Sequence, residues 1–217
     1  ALPDHPQAAH WRKLGWKWLD HAFQQQIAPD GMYIQQSSNY HRLVLQAALW
    51  VYVLQRHAFP AQPFAPAVLG QLSVATRWLS ELLDPFSGAV PNLGPNDGAY
   101  ILPLSTCPFG DYRPVVASAS RAFLGSSPAP PGSTALPPGP WDEMAAWYAL
   151  DSAPPPSPPP QTQPATSQHT LHSGDSWGYL RAAHFAARPG HADQLHVDLW
   201  WRGLNIAQDP GTYRYTA

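Results

Sequence analysis

Gly174-Asp175-Ser176-Trp177-Gly178-Tyr179-Leu180-Arg181-Ala182 settles the fold class of this 217-residue chain. Trp177, Tyr179 and Arg181 alternate with Gly178, Leu180 and Ala182, the period of two that a strand requires. Downstream, Leu195, Val197, Leu199 and Trp201 share one face of a second strand, and His196, Asp198 and Trp200 share the other. Arg202-Gly203 is a turn, Leu204 to Gln208 a third strand, and Asp209-Pro210-Gly211 another turn. An antiparallel meander follows from this spacing.

Upstream the period is helical. Trp11, Leu14, Trp18, Ala22 and Ile27 keep roughly helical spacing, and Pro29-Asp30-Gly31 breaks it. A second helix is expected from about Ser38 to Arg56, capped by Ser37 or Ser38, with Leu43, Ala47, Trp50, Val51 and Leu54 as its apolar side. A third is expected from about Ala65 to Leu83, with Val68, Leu72, Ala75, Leu79 and Leu82 inward and Asp84-Pro85 as its stop. Pro91 to Leu104 carries too many breakers for a helix and reads as an ordered loop. Short helices are expected at about 115–124 and 141–150.

Of the 27 prolines, 13 fall between Pro128 and Pro164. The run Pro154–Pro160 reads as polyproline II or a disordered spacer. Helices, then linker, then sheet give an α+β protein in segregated blocks. The expected units are 1–125, helical; 126–170, a Pro-rich linker with one short helix; and 171–217, the start of an antiparallel β-sheet domain. The chain begins with Ala1 and ends just after the strand-like Gly211–Tyr215 run, so it reads as an internal piece of a longer protein.

Charged residues make up 12% of the chain and the net charge is −2, so the basic footprint of a nucleic-acid binder is absent. Aromatic residues also make up 12%, against wholesale disorder. No apolar run approaches the twenty residues a membrane span needs. The single cysteine, Cys107, excludes an internal disulfide and a Cys-rich zinc site.

Two stretches concentrate polar chemistry. Asp30-Gly31-Met32-Tyr33-Ile34-Gln35-Gln36-Ser37-Ser38-Asn39-Tyr40-His41-Arg42 places amide, phenol, imidazole and guanidinium groups within a few residues. Such groups grip sugar hydroxyls and carboxylates, and a phenol can move a proton. Equally, this is a capped helix start with Tyr40 as a packing residue. His191-Ala192-Asp193 precedes a strand and Asp209 opens a later turn; His and Asp can ligate zinc, or make a simple hydrogen bond at a sheet rim. His196 and Asp198 form a further pair of the kind usually solvated. Asn96 and Asp97 sit in a Pro/Gly-rich turn, as ligand contacts or as turn formers.

Three of these segments resemble the heparinase II/III-like family of polysaccharide lyases: Asp30–Tyr33 through Tyr40-His41-Arg42, the 91–104 loop with Asn96-Asp97-Gly98, and His191–Leu195 followed by Asp209–Tyr215. The resemblance implies an (α/α) toroid followed by an antiparallel β-sandwich, and β-elimination at a uronic acid of an acidic polysaccharide. By the family's pattern Tyr40 is the proton-transfer group. Asn39, His41, Arg42, Asn96 and Asp97 are expected to contact substrate, Arg42 through its fork of donors. His191 and Asp209 match two ligands of a structural zinc, with a further ligand beyond Ala217. Family lyases are often exported. Pro189 stands where several members carry a catalytic His, and Gln35-Gln36 where an acidic residue is common. A second reading is therefore a non-catalytic glycan-binding protein of exopolysaccharide assembly. A third, an inverting glycoside hydrolase, needs two flanking carboxylates; Asp20, Asp30, Glu81, Asp84 and Asp97 offer no obvious pair.

Overall fold

Three long helices form where the sequence supplies helical spacing with breakers between. In the computed structural model, which describes residues 4–125, 136–150, 168–185, 191 and 193–209, they are α1 (Ala8–Gln26), α2 (Ser38–Ala58) and α3 (Pro66–Glu81). Ser37 caps α2, its Oγ accepting from the Tyr40 amide at 3.1 Å. Pro66 opens α3, where its missing N–H costs nothing. Between α1 and α2, Gly31 takes a positive φ of 95°, and any Cβ there would stand 2.5 Å from the Val74 carbonyl oxygen. Only glycine lets this turn lie against α3.

α4 (Arg113–Ala119) continues into a π-helical turn, Ser120–Leu124. A 3₁₀ turn at Pro140–Asp142 leads into α5 (Glu143–Trp147). Both short helices fall where the sequence places them. The chain then forms β1 (Gln168–Ser173), β2 (Ser176–Arg181), β3 (Val197–Trp201) and β4 (Leu204–Ala207). These pair in chain order as an antiparallel sheet, with Trp177 opposite Trp200 and Tyr179 opposite Asp198. The described residues are thus mixed α+β, helices first and sheet last. β1 begins inside the stretch expected as linker; most of the proline-rich segment, including Pro154–Pro160, lies outside the described residues.

All five inward residues expected on α3 are fully buried. The expected sides of α1 and α2 are so only in part, with Ile27 buried and Val51 partly buried against the core. Trp11, Leu14 and Trp18 are exposed, and α1 packs instead through Phe23, with Trp16 stacked on Phe64 at 5.3 Å. On α2, Leu45, Ala48 and Leu49 are fully buried while Trp50 and Leu54 face out. Each helix carries apolar residues on more than one side, so spacing identifies the helix without choosing the buried stripe.

The sheet docks by a face of mixed aromatic and polar residues, Trp177 among them. Tyr179, Arg181, Asp198 and Trp200 are buried, whereas Leu171, Val197, Leu199, Trp201, Leu204 and Ile206 are exposed. His196 and Asp198 are therefore interior, 3.1 Å apart, rather than solvated. Asp84 joins the two blocks. Its Oδ1 accepts from the Phe86 and Ser87 amides, and its Oδ2 from Trp177 Nε1 at 3.0 Å. Gln168 Nε2 donates to Glu81 Oε2 at 3.1 Å. Such bonds are what allow the polar groups of that face to be buried.

His41 lies in the helical core, stacked on Trp78 at 4.6 Å, with its Nε2 2.8 Å from the Ala75 carbonyl oxygen. Burial pushes its pKa down to about 4. The folded chain keeps this ring neutral where the unfolded chain, near 6.5, takes up a proton. Stability from His41 is complete above pH 6.5 and is lost as the pH falls toward 4, roughly 3 kcal/mol in all. Denaturant melts between pH 7 and pH 4 should show this loss, and His41→Gln should flatten the slope. Parallel slopes for both proteins would remove His41 as the cause.

Candidate functional site

Helix α2 begins with N–H groups that need acceptors, and the 91–98 segment is bound to that end of the helix. Ser37 Oγ donates to the Pro95 carbonyl at 2.6 Å and Ser38 Oγ to the Pro91 carbonyl at 2.7 Å. The Ser38 amide donates to the Leu93 carbonyl at 3.0 Å. Gly94 has φ 64°, and a Cβ on it would stand 2.4 Å from the Gln36 carbonyl oxygen. The loop therefore lies directly on the chain leading into α2.

A third element fixes it from the sheet side. The Gly94 amide donates to Asp193 Oδ2 at 2.7 Å. The fully buried Arg181 donates to Gln36 Oε1 at 2.6 Å and reaches Asp193 Oδ2 at 3.5 Å. Gln36 thus serves as the anchor for a sheet arginine, and Asp193 as the brace of the loop. Sequence reading missed Arg181 and Asp193 as parts of this site. Their partners lie 145 and 99 residues away, and no local pattern announces such pairings.

On this support the half-buried Tyr40 donates its hydroxyl hydrogen to Asp97 Oδ2 at 2.6 Å. Asp97 is exposed, and its Oδ1 also accepts from the Ala99 amide at 3.0 Å. The tyrosine hydrogen bond, followed by that amide bond, holds the carboxyl below the usual carboxylate range. Asn96, half-buried beside them, donates to Asn92 Oδ1 at 3.3 Å and accepts from the Gly98 amide at 3.2 Å. The structure thus brings Tyr40, Asn96 and Asp97 together at one end of α2.

The other three expected substrate contacts point inward. Asn39 is buried, and its Oδ1 accepts from Arg42 at 2.6 Å. His41 faces Trp78. Arg42 is completely enclosed, its guanidinium carbon 4.6 Å from the Tyr100 ring and 4.2 Å from those of Phe109 and Tyr112, and it donates to the Phe109 carbonyl. Its fork is spent on this aromatic cage, so it supports the site from beneath rather than meeting a carboxylate. Helical geometry explains the difference, since 39, 41 and 42 turn toward α3 and the 100–112 segment while 40 turns toward the loop.

The expected zinc ligands have other neighbours. His191 Nδ1 lies 3.8 Å from Asp193 Oδ1, the rim pairing that the sequence left open, and Asp209 Oδ2 lies 3.9 Å from His196 Nδ1. Among the described residues no group of three or more His, Cys, Asp or Glu side chains is placed to hold a metal ion. No chemical step is derived through a metal. Pro189 and the 210–217 run lie outside the described residues. Burial raises the Cys107 thiol, in keeping with a structural role. No helix among the described residues is long and apolar enough to cross a membrane.

No curated protein and no solved structure matches the chain. Residues 1–89 match the family model described as Heparinase II/III N-terminus. That match covers α1, α2 and α3 and includes Tyr40, while Asp97 and the sheet lie beyond it. The resemblance to the heparinase II/III-like family therefore holds over residues 1–89, the part of the chain that carries Tyr40.

Proposed function

We propose that this chain belongs to a polysaccharide lyase that cleaves a uronic-acid polymer by β-elimination, with Tyr40 as its proton-transfer group. One observation carries the reading: in the family-matched segment, a half-buried phenol is aimed at a surface carboxylate 2.6 Å away, on a rigidly braced loop. A hydrogen beside a carboxylate is weakly acidic, and removing it requires a positioned base with a route for the proton. In this reading the Tyr40 oxygen takes the substrate hydrogen as its own hydrogen passes to Asp97. The proton then returns through Tyr40 to the departing glycosidic oxygen. The C5–H and C4–O bonds break, the C4–C5 double bond and the hydroxyl of the leaving sugar form, and the relay ends as it began. Asn96, beside the pair, offers its amide to the substrate.

Within this proposal the helices are part of an (α/α) toroid, residues 171–217 begin a β-sandwich, and the partner is an acidic polysaccharide. Its support is the apolar surface left outside. Trp11, Leu14, Trp18, Trp50 and Leu54 line the outer side of the helices, and Leu171, Val197, Leu199, Leu204 and Ile206 the outer side of the sheet. Apolar faces of this extent call for cover by further structure.

The test follows the ultraviolet absorbance of the new C4–C5 double bond with alginate, polygalacturonate and heparan sulfate as substrates. Tyr40→Phe is expected to lower turnover by about 10²–10⁴-fold, the usual worth of a proton-transfer group. Asp97→Asn should fall between that variant and the parent, because the phenol remains. Equal rates for parent and Tyr40→Phe would overturn the assignment. Glycan binding without absorbance on any polymer would favour the non-catalytic reading.

A further inference from the structure

The segment that carries Asp97 continues along α2 and ends at a second feature. Gln46 holds it midway, donating to the Ile101 carbonyl at 2.7 Å. Gln46 lies six residues past Tyr40, about 9 Å along the helix axis. Beyond Ile101 the chain reaches residues 103–106, which face α5 across an open groove of about 720 Å³. That volume lies within the range of small-molecule sites.

Helix α5 is fixed from behind. Met144, Ala145 and Tyr148 are buried, so Glu143, Ala146 and Trp147 turn outward into the groove. Trp147 is 74% exposed, more than any other tryptophan described. Glu143 does not leave a bare anion beside it. Its Oε2 accepts from the Thr106 amide at 2.5 Å and its Oε1 is 3.2 Å from the Thr106 hydroxyl. Pro103 and Leu104 add apolar lining, and Ser105 and Thr106 add hydroxyls. A broad aromatic plane beside hydroxyl groups matches a pyranose ring, which has an apolar C–H face and a polar edge.

We infer that this groove is a sugar subsite in which Trp147 stacks on a ring of the same polysaccharide chain that reaches Tyr40. The inference rests on the proposed function for its ligand class, and on the continuous 97–106 segment for its link to Tyr40. Trp147 binds without taking part in the chemistry.

The test measures binding of the full chain to alginate and polygalacturonate by titration calorimetry, for the parent, Trp147→Ala, Trp147→Tyr and Tyr40→Phe. Trp147→Ala should weaken binding about tenfold, in line with the worth of a stacked aromatic. Trp147→Tyr should restore most of it, and the same loss should appear when Trp147→Ala is added to Tyr40→Phe, whose slow turnover leaves the polymer intact. Thermal melts should agree for all the Trp147 variants, because most of the side chain is exposed. Parent-like binding by Trp147→Ala would overturn the subsite, as would failure of the parent to bind either polymer. So would a change in oligomeric state caused by Trp147→Ala, which would make the groove a protein contact. Trp147-dependent binding without cleavage would uphold the subsite while the lyase reading fails. Tyr40-dependent cleavage with an unchanged KM in Trp147→Ala would do the reverse.

Discussion

The free N–H groups at the start of α2 are the constraint on which the site depends. A helix start left bare in a crowded interior costs free energy, and here two serines and a folded-back loop meet that need. Ser37 caps the helix and holds Pro95, while Ser38 holds Pro91 and Leu93. The same bonds set the distance between Tyr40 and Asp97. Capping and site assembly thus rest on the same serines and the same loop.

Support for that arrangement comes from below and from the side. Below, Arg42 sits among three aromatic rings and ties Asn39 to the 100–112 segment. Each such cation–π contact is worth about 0.5–2 kcal/mol, the more so away from water. From the side, Asp193 and Arg181 reach across from the sheet to Gly94 and Gln36. The sheet therefore does more than follow the helices in sequence. It turns a face of aromatic and charged residues inward; Arg181 and Asp193 find partners in the helical block, while Asp198 pairs with His196 beside it.

Much of this was legible in the sequence, and the rest fails for identifiable reasons. The period of two around Trp177 and the helical spacing of Val68, Leu72 and Leu79 fixed element types, because periodicity is a local property. The buried side of α1 was not legible, since Trp11, Leu14 and Trp18 form as good a stripe as the residues that pack. Tyr40 and Asp97 were each singled out as single residues, but their pairing spans 57 positions and depends on the loop folding back. Arg42 was drawn as a substrate contact by its residue type. Its burial depends on Tyr100, Phe109 and Tyr112, a cage assembled only in three dimensions.

The central claim is that Tyr40 and Asp97 form one hydrogen-bonded unit. It is tested most directly by following the Asp97 carboxyl by carbon NMR through an acid titration, in the parent protein and in Tyr40→Phe. The account predicts a carboxyl that titrates below the ordinary range in the parent and moves back toward it when the phenol hydroxyl is removed. An Asp97 titration that is the same in both proteins would contradict the pairing, and with it the relay built upon it.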